Sequence, residues 1–206
     1  MNQKLLFEKL DINRHNIKAC AELIYKTDEN LFAFMFKYSK KHPLLAVEEI
    51  IKDKKSYFGY PTLYVATDEK QETYKGILSA YKGYSTDFNH FFILKHLTLT
   101  GKIRHLLYVL PKLKKAFNPE VCHRDFYISN ISVHPDYKRQ GVGAFILKNA
   151  HKVAEKNYAS RILLDVSSEN NPALSLYKKH GFTQRGWGLI KAGGKSTKVL
   201  WMSKSL

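Results

Sequence analysis

Apolar positions change their spacing several times along the chain, and each change marks an element. Ile17, Cys20, Ala21 and Ile24 recur three and four apart, which predicts a helix over IKACAELIYKT, capped by Asn13 or Asn16. The preceding LLFEKLDI suits a strand. Leu31 to Tyr38 is apolar and aromatic and predicts a second short helix, and Pro43 opens a third, LLAVEEIIKDK. Thr62–Thr67 and Tyr74–Tyr81 flank the polar turn DEKQE, the pattern of a hairpin. From Ile103 onward, Leu106, Leu107, Leu110, Leu113 and Phe117 follow the spacing of an amphipathic helix, with a kink expected at Pro111.

The second half alternates strand and helix. DFYISNISV predicts a strand, HPDY a turn, and GAFILKNAHKVAEKN a helix. RILLDVSS is an apolar run without alternation, as expected of a central strand covered on both faces. SENNPALSLYKKHGF predicts a loop, a helix from about Pro172 and a stop at Gly181. Phe182–Trp187 and Ser196–Met202 predict a closing strand pair with Gly193 and Gly194 in its turn. The pattern is mixed α/β, and no linker or repeat divides it, so residues 1–206 are expected to form a single domain.

Composition sharpens this picture at a few points. Lys plus Arg exceed Asp plus Glu by 34 − 18 = 16. Such a surface attracts anions: nucleic acid, acidic lipid or phosphorylated small molecules. Part of the excess sits in a basic helical insertion at about 86–120, and from Phe91 to Arg124 there are seven Lys or Arg and one Glu. That insertion has three readings: a lid over a binding site, a contact with membrane or nucleic acid through its lysines, or a subunit interface through its leucines. No apolar run reaches the length of a membrane span, and the N-terminus lacks the pattern of a secretory signal. Cys20 and Cys122 stand far apart and no CxxC or Cys/His pair has zinc spacing. The expectation is a reduced, cytoplasmic protein without metal, monomeric or homodimeric.

The chemistry begins at HPDYKRQGVGAFILKN, residues 134–149. A helix N-terminus offers free N–H donors and a partial positive charge, and glycines let an anion approach them without meeting Cβ atoms. Lys138 and Arg139 add charge at the same place. The stretch lacks the GxxxxGK[ST] of a Walker loop, and Ile146 stands where a Rossmann fingerprint needs its last glycine. Thirty residues on comes NNPALSLYKKHGF. Together, R-Q-G-V-G-A and N-x-x-A-x-x-L-Y-x-x-x-G-F resemble the GNAT superfamily of N-acetyltransferases, over Tyr127–Phe182.

The resemblance implies a central, mostly antiparallel sheet of about seven strands, splayed between strands 4 and 5 and flanked by helices, with the basic insertion between strands 3 and 4. It implies acetyl-CoA as cofactor and transfer of its acetyl group to a primary amine, by direct attack in a ternary complex. The backbone N–H groups of Arg139, Gln140, Gly141, Val142, Gly143 and Ala144 are then expected to hold the diphosphate. Lys138 stands where the family usually has Gln or Arg. Ile131, Ser132 and Val133 are expected to pair with the pantetheine arm, and a bulge near Asn130–Ile131 to open the strands there. An N–H of Ile131 or Ser132 would polarise the thioester carbonyl. Asn170 matches the asparagine that bonds the cofactor arm, or is a helix cap. Tyr177 matches the tyrosine near the sulfur and is expected to act as general acid.

The base is left open. Ser129 stands where many members carry Glu, and the candidates are Asp125, Asp28, Glu29 or a water relay through Tyr127, Ser129 and Asn130; His134 lies toward the diphosphate side. For the acceptor, Asp28, Glu29 and Asp87 could attract a cationic amine. Leu31–Phe36, Tyr81, Tyr84, Phe126, Tyr127 and Trp187 could line a pocket. The competing class is a non-catalytic module that binds acyl-CoA or nucleic acid on the same fold.

Overall fold

The computed structural model describes residues 4–39, 41–83, 94–95, 97–112, 121–192 and 195–206. Seven strands form one sheet in the order β1-β2-β3-β4-β5-β7-β6. They are β1 (Leu6–Lys9), β2 (Leu63–Thr67), β3 (Tyr74–Lys82), β4 (Asp125–Val133), β5 (Arg161–Ser167), β6 (Thr183–Ala192) and β7 (Lys195–Ser205). All neighbours are antiparallel except β4 and β5. That mixed, mostly antiparallel sheet is the predicted one.

Helices cover both faces. On one side lie α1 (Ile17–Tyr25), α2 (Glu29–Met35) and α3 (Pro43–Ile51). Asn16 caps α1 by accepting from Ala19 N at 3.1 Å, Asp28 caps α2 through Leu31 N at 2.8 Å, and Pro43 opens α3. Their apolar faces (Cys20, Ile24, Phe32, Val47, Ile50, Ile51) pack on Leu63, Val65 and Ile77 of the sheet. On the other side lies α5 (Val142–Lys156), whose Ile146, Leu147 and Ala150 pack with Leu78, Phe126, Ile128, Ile162 and Leu164. The same layer holds Tyr177 of α6 (Asn171–Lys179), a helix that ends at Gly181 with φ +85°.

Between β3 and β4 the chain forms α4 (Leu99–Arg104), which continues as a π-helical turn over His105–Val109. Pro111 was expected to kink this helix. The irregularity falls one turn earlier, because a proline at 111 has no N–H to donate to Leu107 and the ladder rearranges before it. Tyr84 and Asp87, expected at the acceptor mouth, and Gly193 and Gly194, expected in the closing turn, lie outside the described residues.

Two features of the sheet build the site. β4 pairs with β5 only from Asp125↔Arg161 to Ile128↔Leu164, although both strands run on. Beyond Ile128 the two strands part, as expected of the splay. Opposite β3, Asn130 pairs with Ser79 and Ile128 with Ala80, so Ser129 is the extra residue of a bulge. The bulge therefore lies at Ser129, just before the expected Asn130–Ile131. It also explains the failed alternation of the strand. Phe126 and Ile128 face the α5 layer, the extra residue shifts the parity, and Ile131 and Val133 return to that same layer.

Candidate active site

The glycine turn joins the end of β4 to the start of α5. A 3-10 turn over Pro135–Tyr137 leads into Lys138, and Gln140 Nε2 donates to the Asp136 carbonyl at 2.7 Å, folding the loop on itself. Arg139 and Gly141 take φ of +60° and +83°. Gly141 stands at the N-cap of α5 with no side chain capping the helix. The first bond of the helix is Phe145 N to Gly141 O at 2.9 Å. Among the described residues, none accepts a hydrogen bond from the backbone N–H of Arg139, Gln140, Gly141, Val142, Gly143 or Ala144. Lys138, Arg139, Gln140 and Gly141 are exposed. A Cβ placed on Gly141 would meet nothing within 4 Å, while one on Gly143 would lie 3.2 Å from Leu176 Cδ2 and 3.7 Å from Val133 Cγ2. The turn thus abuts the outer end of β4 and the face of α6, where the two strands have already parted.

Tyr177 is buried on α6, its ring 5.8 Å from that of Phe182. Burial pushes its phenol up to about 12, so it is protonated at any physiological pH. Asn170 caps α6 by accepting from Ala173 N at 3.2 Å, which leaves its amide N–H groups for other partners. Ile131, Ser132 and Val133 pair with β3 on one edge; their other edge lies past the last β4–β5 pair.

The candidate bases fare differently. Asp125 does not suit that role. Its carboxylate is buried, accepts from Arg161 Nε at 2.6 Å and Nη2 at 3.0 Å, and takes the Cys122 N–H at 2.6 Å. It also stands at the start of β4, about 13 Å along the strand from the bulge at Ser129. It is a structural ion pair that pins the beginning of the parallel pairing. Ser129 donates to Ser79 Oγ at 2.8 Å, and Ser79 Oγ in turn donates to the Tyr57 carbonyl at 3.2 Å, which ties the bulge to β3. His134 accepts from Asp136 N at 3.4 Å and orders the turn. Phe126 is core on the α5 side, away from any pocket on the α1–α3 side.

Asn130 reaches the α1–α2 turn, its Nδ2 donating to Thr27 Oγ1 at 2.7 Å. That bond brings the turn bearing Asp28 to the bulge. Asn130 Oδ1 is buried with no partner among the described residues. Asp28 itself is exposed and spends one oxygen on its cap.

The residue that motif reasoning missed is Asp165. It lies on β5 immediately past Leu164, the last residue paired with β4, and so at the root of the splay. Tyr127 donates its hydroxyl to Asp165 Oδ2 at 2.5 Å. Tyr127 lies 5.5 Å from Tyr81, and Tyr81 lies 4.7 Å from Tyr57, ring to ring. Burial, then the Asp165 charge, drives the Tyr127 phenol well above its ordinary value; burial, then Tyr57 and Asp165, do the same to Tyr81. Tyr127 is thus a fixed proton donor to that carboxylate, whose charge also reaches Tyr81. A signal was present in the sequence: a carboxylate inside RILLDVSS, an otherwise apolar central strand, needs a reason.

The site thus brings together an open turn of helix-start N–H groups, a parted pair of strands and a buried phenol on the next helix. The comparisons supply the family. The model of the acetyltransferase (GNAT) family matches residues 48–182, and the chain belongs to that family. An N-alpha-acetyltransferase of Sulfolobus acidocaldarius is 28% identical over 112 residues, 48% of this chain and 66% of that protein. The chain spans about half to two thirds of the length of the first curated relatives it matches (54%, 66% and 49%). Among solved structures, an N-acetyltransferase from Staphylococcus aureus Mu50 aligns with a TM-score of 0.67 at 21% identity, over 95% of this chain and 99% of that one. The NatC complex bound to Gag peptide and CoA aligns with a TM-score of 0.59 at 14% identity, over 98% and 99%. These likenesses carry the fold.

Proposed function

We propose that the protein is an acetyl-CoA-dependent N-acetyltransferase acting on a primary amine. The observation that carries this reading is the row of six backbone N–H groups, Arg139 to Ala144, left without acceptors among the described residues beside the splay. Such donors at a helix N-terminus suit a diphosphate. The residues fit the rest of the coenzyme too. The free edge of Ile131–Val133 suits the amides of a pantetheine arm, added as a strand. Asn170 offers a side-chain donor along that path. Further down α5 opens a cavity of about 320 Å³, lined in part by Lys148, His151, His180, Lys204 and Phe182, which suits an anionic nucleotide end.

Bound there, the thioester supplies an activated acetyl group. The chain's own part is to position and to move protons. The N–H of Ile131 or Ser132, exposed by the bulge, is placed to stabilise negative charge on the carbonyl oxygen. Tyr177, neutral throughout the working pH range, donates toward the departing sulfur. Asp165, with Tyr127 on its Oδ2, is the carboxylate best situated to receive the proton of the incoming ammonium, a role that Ser129 and Asp125 cannot fill. Asn130 Oδ1, buried at the bulge, is an acceptor for a second N–H of that amine.

The test is a pair of measurements on one preparation. Calorimetric titration with acetyl-CoA is expected to show saturable binding. Thiol release against peptide N-termini, polyamines and amino acids is expected for at least one class. Absence of binding overturns the reading; binding without release for any amine leaves an acyl-CoA-binding module in its place.

A further inference from the structure

The helix between β3 and β4 is apolar on two sides. One side is used: Gly101, His105 and Val109 are buried, and a Cβ on Gly101 would lie 2.7 Å from the Tyr38 Cβ. The other side projects into solvent. Leu99 is 76% exposed, Ile103 56% and Leu107 62%, and Leu106 and Tyr108 beside Leu107 are exposed too. The spacing 99, 103, 106/107 is that of a continuous stripe along one face. A helix that served only to cover α1–α3 would be polar there.

The charge around the stripe selects its occupant. From Phe88 to Pro119 the sequence holds six Lys or Arg and no Asp or Glu. Arg104 and Lys112 are exposed on the described helix, and Lys102 is half-buried. A second copy docking here would bring these cations together, on a chain that already carries a net charge of +16. Nucleic acid would use the cations and leave the protruding leucines in water. An anionic bilayer surface takes both: the side chains enter the acyl boundary and the cations meet the headgroups. We propose that α4 docks the protein on an anionic lipid surface, lying in its plane. The contact is of the surface-lying kind, since no described helix is long and apolar enough to cross a membrane.

The experiment is co-sedimentation of the full chain with vesicles of phosphatidylcholine containing phosphatidylglycerol, and of phosphatidylcholine alone, at low salt. The wild type is expected to partition to the first and weakly to the second. Leu106→Ser with Leu107→Ser is expected to lower partitioning by about tenfold or more, since each leucine contributes on the order of a tenfold factor when buried. Lys102→Gln with Arg104→Gln is expected to lower it about fivefold or more on the anionic vesicles alone. Circular dichroism and thermal unfolding confirm that each variant is folded. Failure of the wild type to sediment with anionic vesicles overturns the proposal, as does partitioning that the leucine pair leaves unchanged. A dimer in sedimentation velocity that the leucine pair abolishes, or retention of RNA in place of vesicles, also overturns it. The readout is independent of acetyl transfer, because these residues stand outside the coenzyme site.

Discussion

Gly143 offers a graded test of the coenzyme cradle. Its φ lies outside the left-handed region, so a side chain brings no backbone strain there. Crowding alone decides the outcome. An alanine Cβ would approach Leu176 Cδ2 to 3.2 Å, and that methyl, at the end of a flexible half-buried side chain, can retreat by a few tenths of an ångström. Valine adds two more carbons at the same point. One must press on Val133 and Leu176, and the other must lie over the first-turn N–H groups. Overpacking of this kind costs about 1–3 kcal/mol. If the same space takes the coenzyme, Gly143→Ala should raise the acetyl-CoA Kd a few-fold, and Gly143→Val by about 10–100-fold, equivalent to ~1.4–2.8 kcal/mol. Calorimetric titration well below the melting temperature measures both variants in the folded state, and thermal unfolding reports the packing cost separately. Wild-type affinity in Gly143→Val would refute the reasoning, whatever its stability.

Three further outcomes are expected. Tyr177→Phe should lower kcat for thiol release about 10–100-fold and leave acetyl-CoA affinity near wild type; equal loss of both would make the phenol a packing residue. Asp165→Asn should lower kcat about 100-fold near neutral pH, with the deficit shrinking as rising pH deprotonates the amine in solution; a constant deficit across the pH range would remove its role as proton acceptor. Stability should fall at high pH through Cys20, whose thiol burial raises from 9.0 to about 12. The fold holds the neutral thiol, so its contribution is full below pH 9 and is lost as pH rises toward 12, on the order of 4 kcal/mol. Denaturant melts of wild type and Cys20→Ala should therefore converge across that window, and parallel curves would contradict the assignment.

Much of the architecture was legible because periodicity and chain-breaking residues marked it. DFYISNISV matched β4 residue for residue, and Asn16, Pro43 and Gly181 marked element ends where capping physics puts them. The glycine turn was legible for a chemical reason, since a helix start lacking a side-chain cap needs another partner for its N–H groups. Asp125 misled because its partner, Arg161, is 36 residues away and becomes adjacent only through parallel pairing. Asp165 stayed hidden for the converse reason. Its significance depends on where β4 and β5 separate, and on a Tyr127 hydroxyl 38 residues distant. Residue types report chemistry, but which carboxylate meets which cation is a property of strand register.

The extra residue in β4 does two jobs with one insertion. It returns Ile131 and Val133 to the layer already occupied by Phe126 and Ile128, and in the same step it turns the strand away from its parallel neighbour. Removing Ser129 would give β4 and β3 one regular ladder, with Asn130 still opposite Ser79 and Ile131 and Val133 still in the α5 layer, but the strand would lose the bend that turns it from β5. The parting of the two strands therefore hangs on a single inserted residue that the core packing itself does not require.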